Sequence, residues 1–165
     1  MIKNKDLYRF KQGLESLYKK EIPVELSLKV IKNLRLINIE LEDLEKVVKP
    51  SDAFLKEYQP KIESLVKEYC IKDESGNPFP KKDGNGSFVY DFLDENKVKF
   101  EKAIIELENR EENKDILLVR KKQIEDFNKL LDKENDMFLN KIEFKSLPTT
   151  ITPQQIDLIY ELIQE

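Results

Sequence analysis

The stretch Val30–Tyr69, VIKNLRLINIELEDLEKVVKPSDAFLKEYQPKIESLVKEY, decides the fold. Within it Val30, Leu34, Ile37, Leu41, Leu44, Val48, Ser51, Leu55, Tyr58, Ile62, Leu65 and Tyr69 follow one another at alternating spacings of four and three. All but Ser51 are apolar or aromatic, so a heptad pattern is sustained through more than five repeats. Such spacing puts every one of these side chains on one narrow stripe of a helix. That stripe must be covered by a partner helix, from the same chain or from another copy. Pro50 and Pro60 interrupt the stretch. An interior proline removes a hydrogen bond and clashes with the preceding turn at a cost of ~3 kcal/mol. The register nevertheless carries through both. The stretch 24–71 is therefore expected as one long helix, either kinked at the prolines or broken at Pro50 with Ser51 or Asp52 capping the next piece.

Working outward, residues 4–20 form an N-terminal helix with a stripe of Leu7, Phe10, Leu14 and Leu17 and with Asn4 as its N-cap. Gly13 lies inside this pattern and weakens it. C-terminal to the heptads, residues 73–90 hold three of the four glycines and two prolines. Asp83-Gly84-Asn85-Gly86 is a turn signal and Ser87–Tyr90 is β-prone, so a small β-hairpin is expected within a loop spanning 73–92. A second long helix is expected over 95–136, with stripes Phe100, Ile104, Leu107 and then Leu117, Ile124, Phe127, Leu130, Leu131. The polar run Glu108–Asp115 between them reads either as solvated helix or as a loop. Residues 142–147 alternate as a short strand does. A closing helix over 153–164 starts with Thr152 as N-cap, Pro153 at its first position and Gln155 completing a capping box. Ile156, Ile159, Tyr160 and Ile163 are expected to give its buried face. The fold class expected is mainly α: a single domain, 1–165, built on a long antiparallel, coiled-coil-like hairpin, with a β-hairpin at the connection and short terminal helices.

Composition suits that architecture. Of the 165 residues 38% are charged and 39% hydrophobic, against about 25% and about 45–50% in ordinary globular domains. Long exposed helices offer the surface that so many charges need. The net charge of −4 disfavours a phosphate backbone as partner, because affinity for nucleic acid comes from neutralising phosphates with Lys and Arg. The tight basic groups, Lys81-Lys82 and Arg120-Lys121-Lys122, sit among acids. No apolar run approaches the ~18 residues of a membrane span, and no signal-like N-terminus is present, so a cytoplasmic protein is expected.

Catalytic chemistry has little to stand on. Histidine is absent, which removes the commonest general base and transition-metal ligand. One cysteine, Cys70, allows no disulfide within the chain and no Cys-rich metal site. Beside Tyr69 it reads as a small hydrophobe near a helix end. Neither phosphate-cradling glycine motif occurs. Glu108, Glu111, Glu112 and Asp115 would share one face of a continuous helix and could bind a divalent cation, but a solvated acidic face is the ordinary reading. Two calcium-loop readings, from Asp73 and from Asp83, fail where the loop geometry requires glycine. The expectation is no enzyme, no metal and no cofactor.

What remains is interaction. Phe79, Phe88, Tyr90 and Phe92, with Lys81 and Lys82, cluster in the loop, and aromatic residues dominate binding hot spots. They are the candidate partner-binding residues. The alternative is a local mini-core that holds the hairpin to the helix ends. Val30, Leu34, Ile37, Leu41, Leu44, Val48, Leu55, Tyr58, Ile62 and Leu65 are the candidate helix seam or oligomer interface.

The order of the pieces adds a resemblance. Asn4-Lys5-Asp6-Leu7-Tyr8 leads to Ile22-Pro23-Val24, then to Lys32-Asn33 in the heptad helix. A Gly/Asn turn, a helix, an Ile142-x-Phe144 strand and Ile151-Thr152-Pro153 follow. Over roughly residues 4–108 and 141–163 the chain resembles a family of small helical proteins of unknown function encoded by tailed bacteriophages, with 109–140 as an extension of the middle helix. The resemblance implies a phage source and no enzymatic activity. In that setting the expected role is to bind and block a host protein, such as a defence factor. The alternatives are a virion or assembly component acting by self-association and, in a different class, a nucleic-acid or nucleotide binder.

Overall fold

The computed structural model describes residues 2–84 and 87–165, so Asn85 and Gly86 of the turn signal lie outside the described residues. The chain is mainly helical with small two-stranded sheets. It forms two compact units where one domain is expected. The first comprises the residues up to Lys49 together with Gln123–Glu165, and the second is Pro50–Lys122.

In the first unit, strand β1 (Ile2–Lys3) precedes helix α1 (Asp6–Tyr18), and helix α2 (Val24–Val48) comes next. Leu7, Phe10, Leu14 and Leu17 of α1 are fully buried, as are Leu26, Val30 and Ile37 of α2, and Leu41 and Leu44 nearly so. The first half of the heptad stripe is thus covered within the chain. It shares one core with α1 and with Leu139, Ile142, Ile159 and Leu162 from the C-terminal segment. Leu34 is partly buried against that core and Val48 is half-buried.

The N-terminus of α1 differs from expectation. Asn4 is buried, and its side-chain amide donates to the Leu130 carbonyl at 2.8 Å instead of capping the helix. The Asp6 carboxylate accepts the Lys3 N–H at 2.8 Å. Gly13 also has a role that helix propensity hides. A Cβ there would lie 2.5 Å from Ile159 Cγ2 and 2.9 Å from Leu158 Cβ, so its absence lets the closing helix α6 (Pro153–Ile159) pack directly on α1.

Of the two forms expected for 24–71 the chain takes the break at Pro50 and not one continuous kinked helix, and its two prolines act differently. At Pro50 the helix stops. Ser51, the lapse in the heptads, caps the next helical segment: its hydroxyl accepts the Phe54 N–H at 3.2 Å. At Pro60 the chain stays helical. Phe54–Tyr58 is a π-helical turn, in which the Gln59 N–H bonds the Phe54 carbonyl. Lengthening the repeat from four to five residues absorbs the N–H that proline lacks. Helix α3 (Gln59–Tyr69) then starts with Pro60 in its first turn. Tyr58 is buried, Ile62 and Leu65 are half-buried, and Leu55 is exposed.

In the second unit, α3 packs on helix α4 (Asp94–Glu108). Strands β2 (Pro80–Lys82) and β3 (Phe88–Tyr90) between them form an antiparallel hairpin. The expected second long helix breaks at Asn109-Arg110 and resumes as α5 (Glu111–Leu131). Buried Asn113 fixes the break, donating to the Leu107 carbonyl at 2.6 Å and accepting from Lys61 Nζ at 2.9 Å.

From Gln123, within α5, the chain belongs again to the first unit. Strand β4 (Glu134–Asn135) pairs with β1. The expected strand 142–147 is only β5 (Ile142–Glu143), succeeded by a 3-10 turn at Phe144–Ser146. Helix α6 carries the expected capping box, with Thr152 and Gln155 bonding reciprocally at 3.1 and 3.3 Å. It ends at Ile159 instead of 164. A 3-10 turn over Tyr160–Leu162 buries Leu162, and β6 (Ile163–Gln164) pairs in parallel with β5. Among the described residues no helix is long and apolar enough to cross a membrane.

Candidate functional site

The candidate site is the hairpin that succeeds α3 in the second unit. Its base is fixed first. Ile71 lies between the two approaching strands, its N–H donating to the Asp91 carbonyl at 2.8 Å and its carbonyl accepting the Phe79 N–H at 3.0 Å. Cys70 pairs with Phe92 and Lys72 with Pro78. Between them the 73–77 turn satisfies itself: Asp73 Oδ1 accepts the N–H groups of Ser75 and Asn77, both at 2.9 Å, and Gly76 takes a φ of 80°. The first residue of the calcium-like pattern therefore spends its carboxylate on its own loop. Asp83 Oδ1 likewise accepts the Ser87 N–H at 2.8 Å. A bare two-stranded hairpin is marginal in water, and these base contacts tie it to the helices.

The register is Pro80 opposite Tyr90, Lys81 opposite Val89 and Lys82 opposite Phe88. Opposed residues share a face and successive residues alternate. One face therefore carries Pro80, Lys82, Phe88 and Tyr90, and the other carries Lys81, Val89 and Asp91. The contacts agree: Lys82 Nζ stands 5.5 Å from the Phe88 ring centroid, while Lys81 pairs with Asp91. All six strand residues are exposed. Phe79 is 53% exposed, Phe88 68% and Tyr90 39%.

Phe92 stands apart from the others. It is half-buried and its ring stacks on Phe100, centroids 4.7 Å apart, with Tyr69 meeting Phe100 edge-on at 6.4 Å. It anchors the hairpin to α3 and α4 instead of presenting itself to a partner. Cys70 is buried beside it. The aromatic cluster thus divides: Phe92 belongs to a local core, and Phe79, Phe88 and Tyr90 face solvent. Val89 and Leu93 are also exposed, which the sequence reading missed. The β-prone run Ser87–Tyr90 placed Val89 in the hairpin but did not show that both of its faces are uncovered.

Other chemistry-bearing residues are dispersed or paired. The break at Asn109-Arg110 divides the proposed acidic face. Glu112 bonds Lys61 at 2.6 Å, and that contact holds its carboxyl below the usual range, while Glu111 pairs with Lys114. Among the described residues no group of three or more Asp, Glu, Cys or His side chains is placed to hold a metal ion. Arg120 of the second basic group sits over the Phe54 ring at 5.7 Å. A hollow of about 660 Å³ opens beside β5 and β6 in the first unit, between Phe144, Tyr160 and Ile163. Two of its carboxylates are already engaged, Glu143 by Lys29 and Lys145, and Glu161 by Arg9.

No protein-family profile, curated protein or solved structure matches the chain.

Proposed function

We propose that this chain is a non-enzymatic protein-interaction module whose docking element is the β2–β3 hairpin. One observation carries the reading: three aromatic side chains, Phe79, Phe88 and Tyr90, stay in water on a hairpin whose base is held to the helices by Phe92 and Ile71. Apolar surface rimmed by charge marks protein-binding sites, and rigid aromatic anchors are the residues that carry binding energy. The α3–α4 pair serves as the stem that presents them. Lys82, held over Phe88, adds a cation to the aromatic face. In the phage setting that the resemblance implies, the partner is a host protein in the cytoplasm, and occupying its surface blocks it.

The test is affinity purification with the wild-type chain and with a Phe79→Ser/Phe88→Ser/Tyr90→Ser variant, both shown to have the same helical circular dichroism. A protein retained by the wild type and lost with the variant supports the reading. Equal retention by both removes the hairpin as the docking element.

A further inference from the structure

The hairpin has two outer edges, and they differ. Pro80 has no N–H, so its pairing with Tyr90 is a non-hydrogen-bonded site of the ladder, and Lys82 with Phe88 is another. The Asp83 N–H bonding the Ser87 carbonyl at 2.9 Å gives the same alternation from the turn end. At such sites the backbone groups point away from the partner strand. On β2 the outward groups belong to Pro80 and Lys82. Proline and lysine are the residues that blunt a strand edge. On β3 they are the N–H and C=O groups of Phe88 and Tyr90, which have no partner among the described residues.

We infer that the open edge of β3 pairs with β3 of a second copy of this chain, in antiparallel register centred on Val89. The outward groups are symmetric about Val89. A two-fold axis there sets Phe88 against Tyr90 of the other copy and Tyr90 against its Phe88, and each pair exchanges two hydrogen bonds. All four outward groups of each strand are then satisfied. The two aromatic pairs fall on one face, where cross-strand aromatic pairs stabilise a sheet. The contact is isologous and closes on itself. The result is a four-stranded sheet, β2-β3-β3-β2, whose new edges are the blunted β2 strands, so growth stops at the dimer. Three residues a side make a small interface, well below the ~1,200 Å² of stable complexes, so the dimer is concentration-dependent. It uses the edge of the hairpin, whereas a foreign partner docks on the aromatic face, and the two can fail independently.

Disulfide trapping in the full chain tests the register. Across the axis Val89 faces its own copy at a non-hydrogen-bonded site, where Cα atoms lie about 4.5 Å apart, within reach of a disulfide. Positions 88 and 90 are displaced from their own copies by two residues along the strand, about 7–8 Å or more, beyond that reach. Val89→Cys should therefore form a disulfide-linked dimer under mild oxidation. Phe88→Cys, Tyr90→Cys and the wild type, whose Cys70 is buried, should not. Light scattering should show the 19.6 kDa chain moving toward twice that mass as its concentration rises to about 300 µM, the range of weak complexes. Tyr90→Pro removes an outward N–H and leaves the β2–β3 ladder intact, so it should hold the monomer mass with unchanged circular dichroism. Equal cross-linking at positions 88, 89 and 90, or a monomer mass at every concentration, overturns the inference.

Discussion

Gly13→Ala sets helix propensity against packing, and the two give opposite signs. In the interior of a helix, alanine is favoured over glycine by about 1 kcal/mol. On propensity alone the variant should gain stability. The structure puts the new Cβ 2.5 Å from Ile159 Cγ2, 2.9 Å from Leu158 Cβ and 3.4 Å from the Leu158 carbonyl carbon. Ile159 is fully buried and cannot swing clear, so α6 must shift as a body. Overpacking of this kind costs about 1–3 kcal/mol. Two contacts below normal separation place it near the upper end. The net expectation is a loss of about 2 kcal/mol after subtracting the propensity gain. Urea unfolding monitored by circular dichroism should show the midpoint fall by about 1 M, for a slope near 2 kcal/mol per molar. Gln12→Ala, on the exposed side of α1, should stay within about 0.5 kcal/mol of wild type. A Gly13→Ala midpoint equal to or above wild type would refute the close packing of α6 on α1.

Burial and charge set three further outcomes. Ile37→Ala should cost about 2–5 kcal/mol because Ile37 is fully buried, whereas Leu55→Ala, at a heptad position 38% exposed, should cost under about 1 kcal/mol; urea midpoints compare them. Asn33→Ala should cost about 2–4 kcal/mol by the same assay, since buried Asn33 accepts the Asn140 N–H at 2.8 Å and donates to its carbonyl at 2.9 Å, and both would be orphaned. Glu161→Gln tests the pH dependence of the Arg9 contact at 2.7 Å, which holds the Glu161 carboxyl below its ordinary value of 4.5. A depressed folded pKa contributes stability above the unfolded value, lost as pH falls through the folded one. The variant should thus be weaker than wild type by under about 1 kcal/mol at neutral pH, with the gap shrinking below pH 4.5, and a gap that persists into strong acid would contradict the assignment.

Periodicity told which face of α1 and of α2 is buried, because a stripe at three-and-four spacing has one physical use. It failed at the closing segment, where Tyr160, expected in the buried face, is exposed and Leu162 is buried instead. Nor could it tell what buries a stripe. Val30, Ile37, Leu41 and Leu44 lie in one core with α1 and the C-terminal segment, a set assembled from residues more than a hundred positions apart. Proline is ambiguous for a related reason. Pro50 and Pro60 carry the same local signal, yet the first ends a helix and the second is taken up by a π turn. The difference lies in Ser51, which offers a cap at the first site. Buried asparagines were illegible. Asn4 and Asn33 bond backbone groups of Leu130 and Asn140, and no local pattern announces a partner that distant. Gly13 read as a weakness because propensity is local, while its reason is a contact with α6. At the site, composition gathered the aromatics into the hairpin. Their division into an anchor, Phe92, and an exposed group comes from Phe92 lying beyond the end of the ladder, where its ring stacks on Phe100.

Site-specific photo-crosslinking in cells that make the chain tests the docking reading most directly. The crosslinking side chain replaces Phe88, and in a control it replaces Phe138, which is 81% exposed and lies in the other unit. The expected result is a discrete adduct with one foreign protein from position 88, absent from position 138 and lost when Tyr90→Ser is added. An adduct of twice the 19.6 kDa chain mass would instead report the second copy. No adduct from position 88, or the same products from both positions, would contradict the hairpin as the surface through which this protein acts.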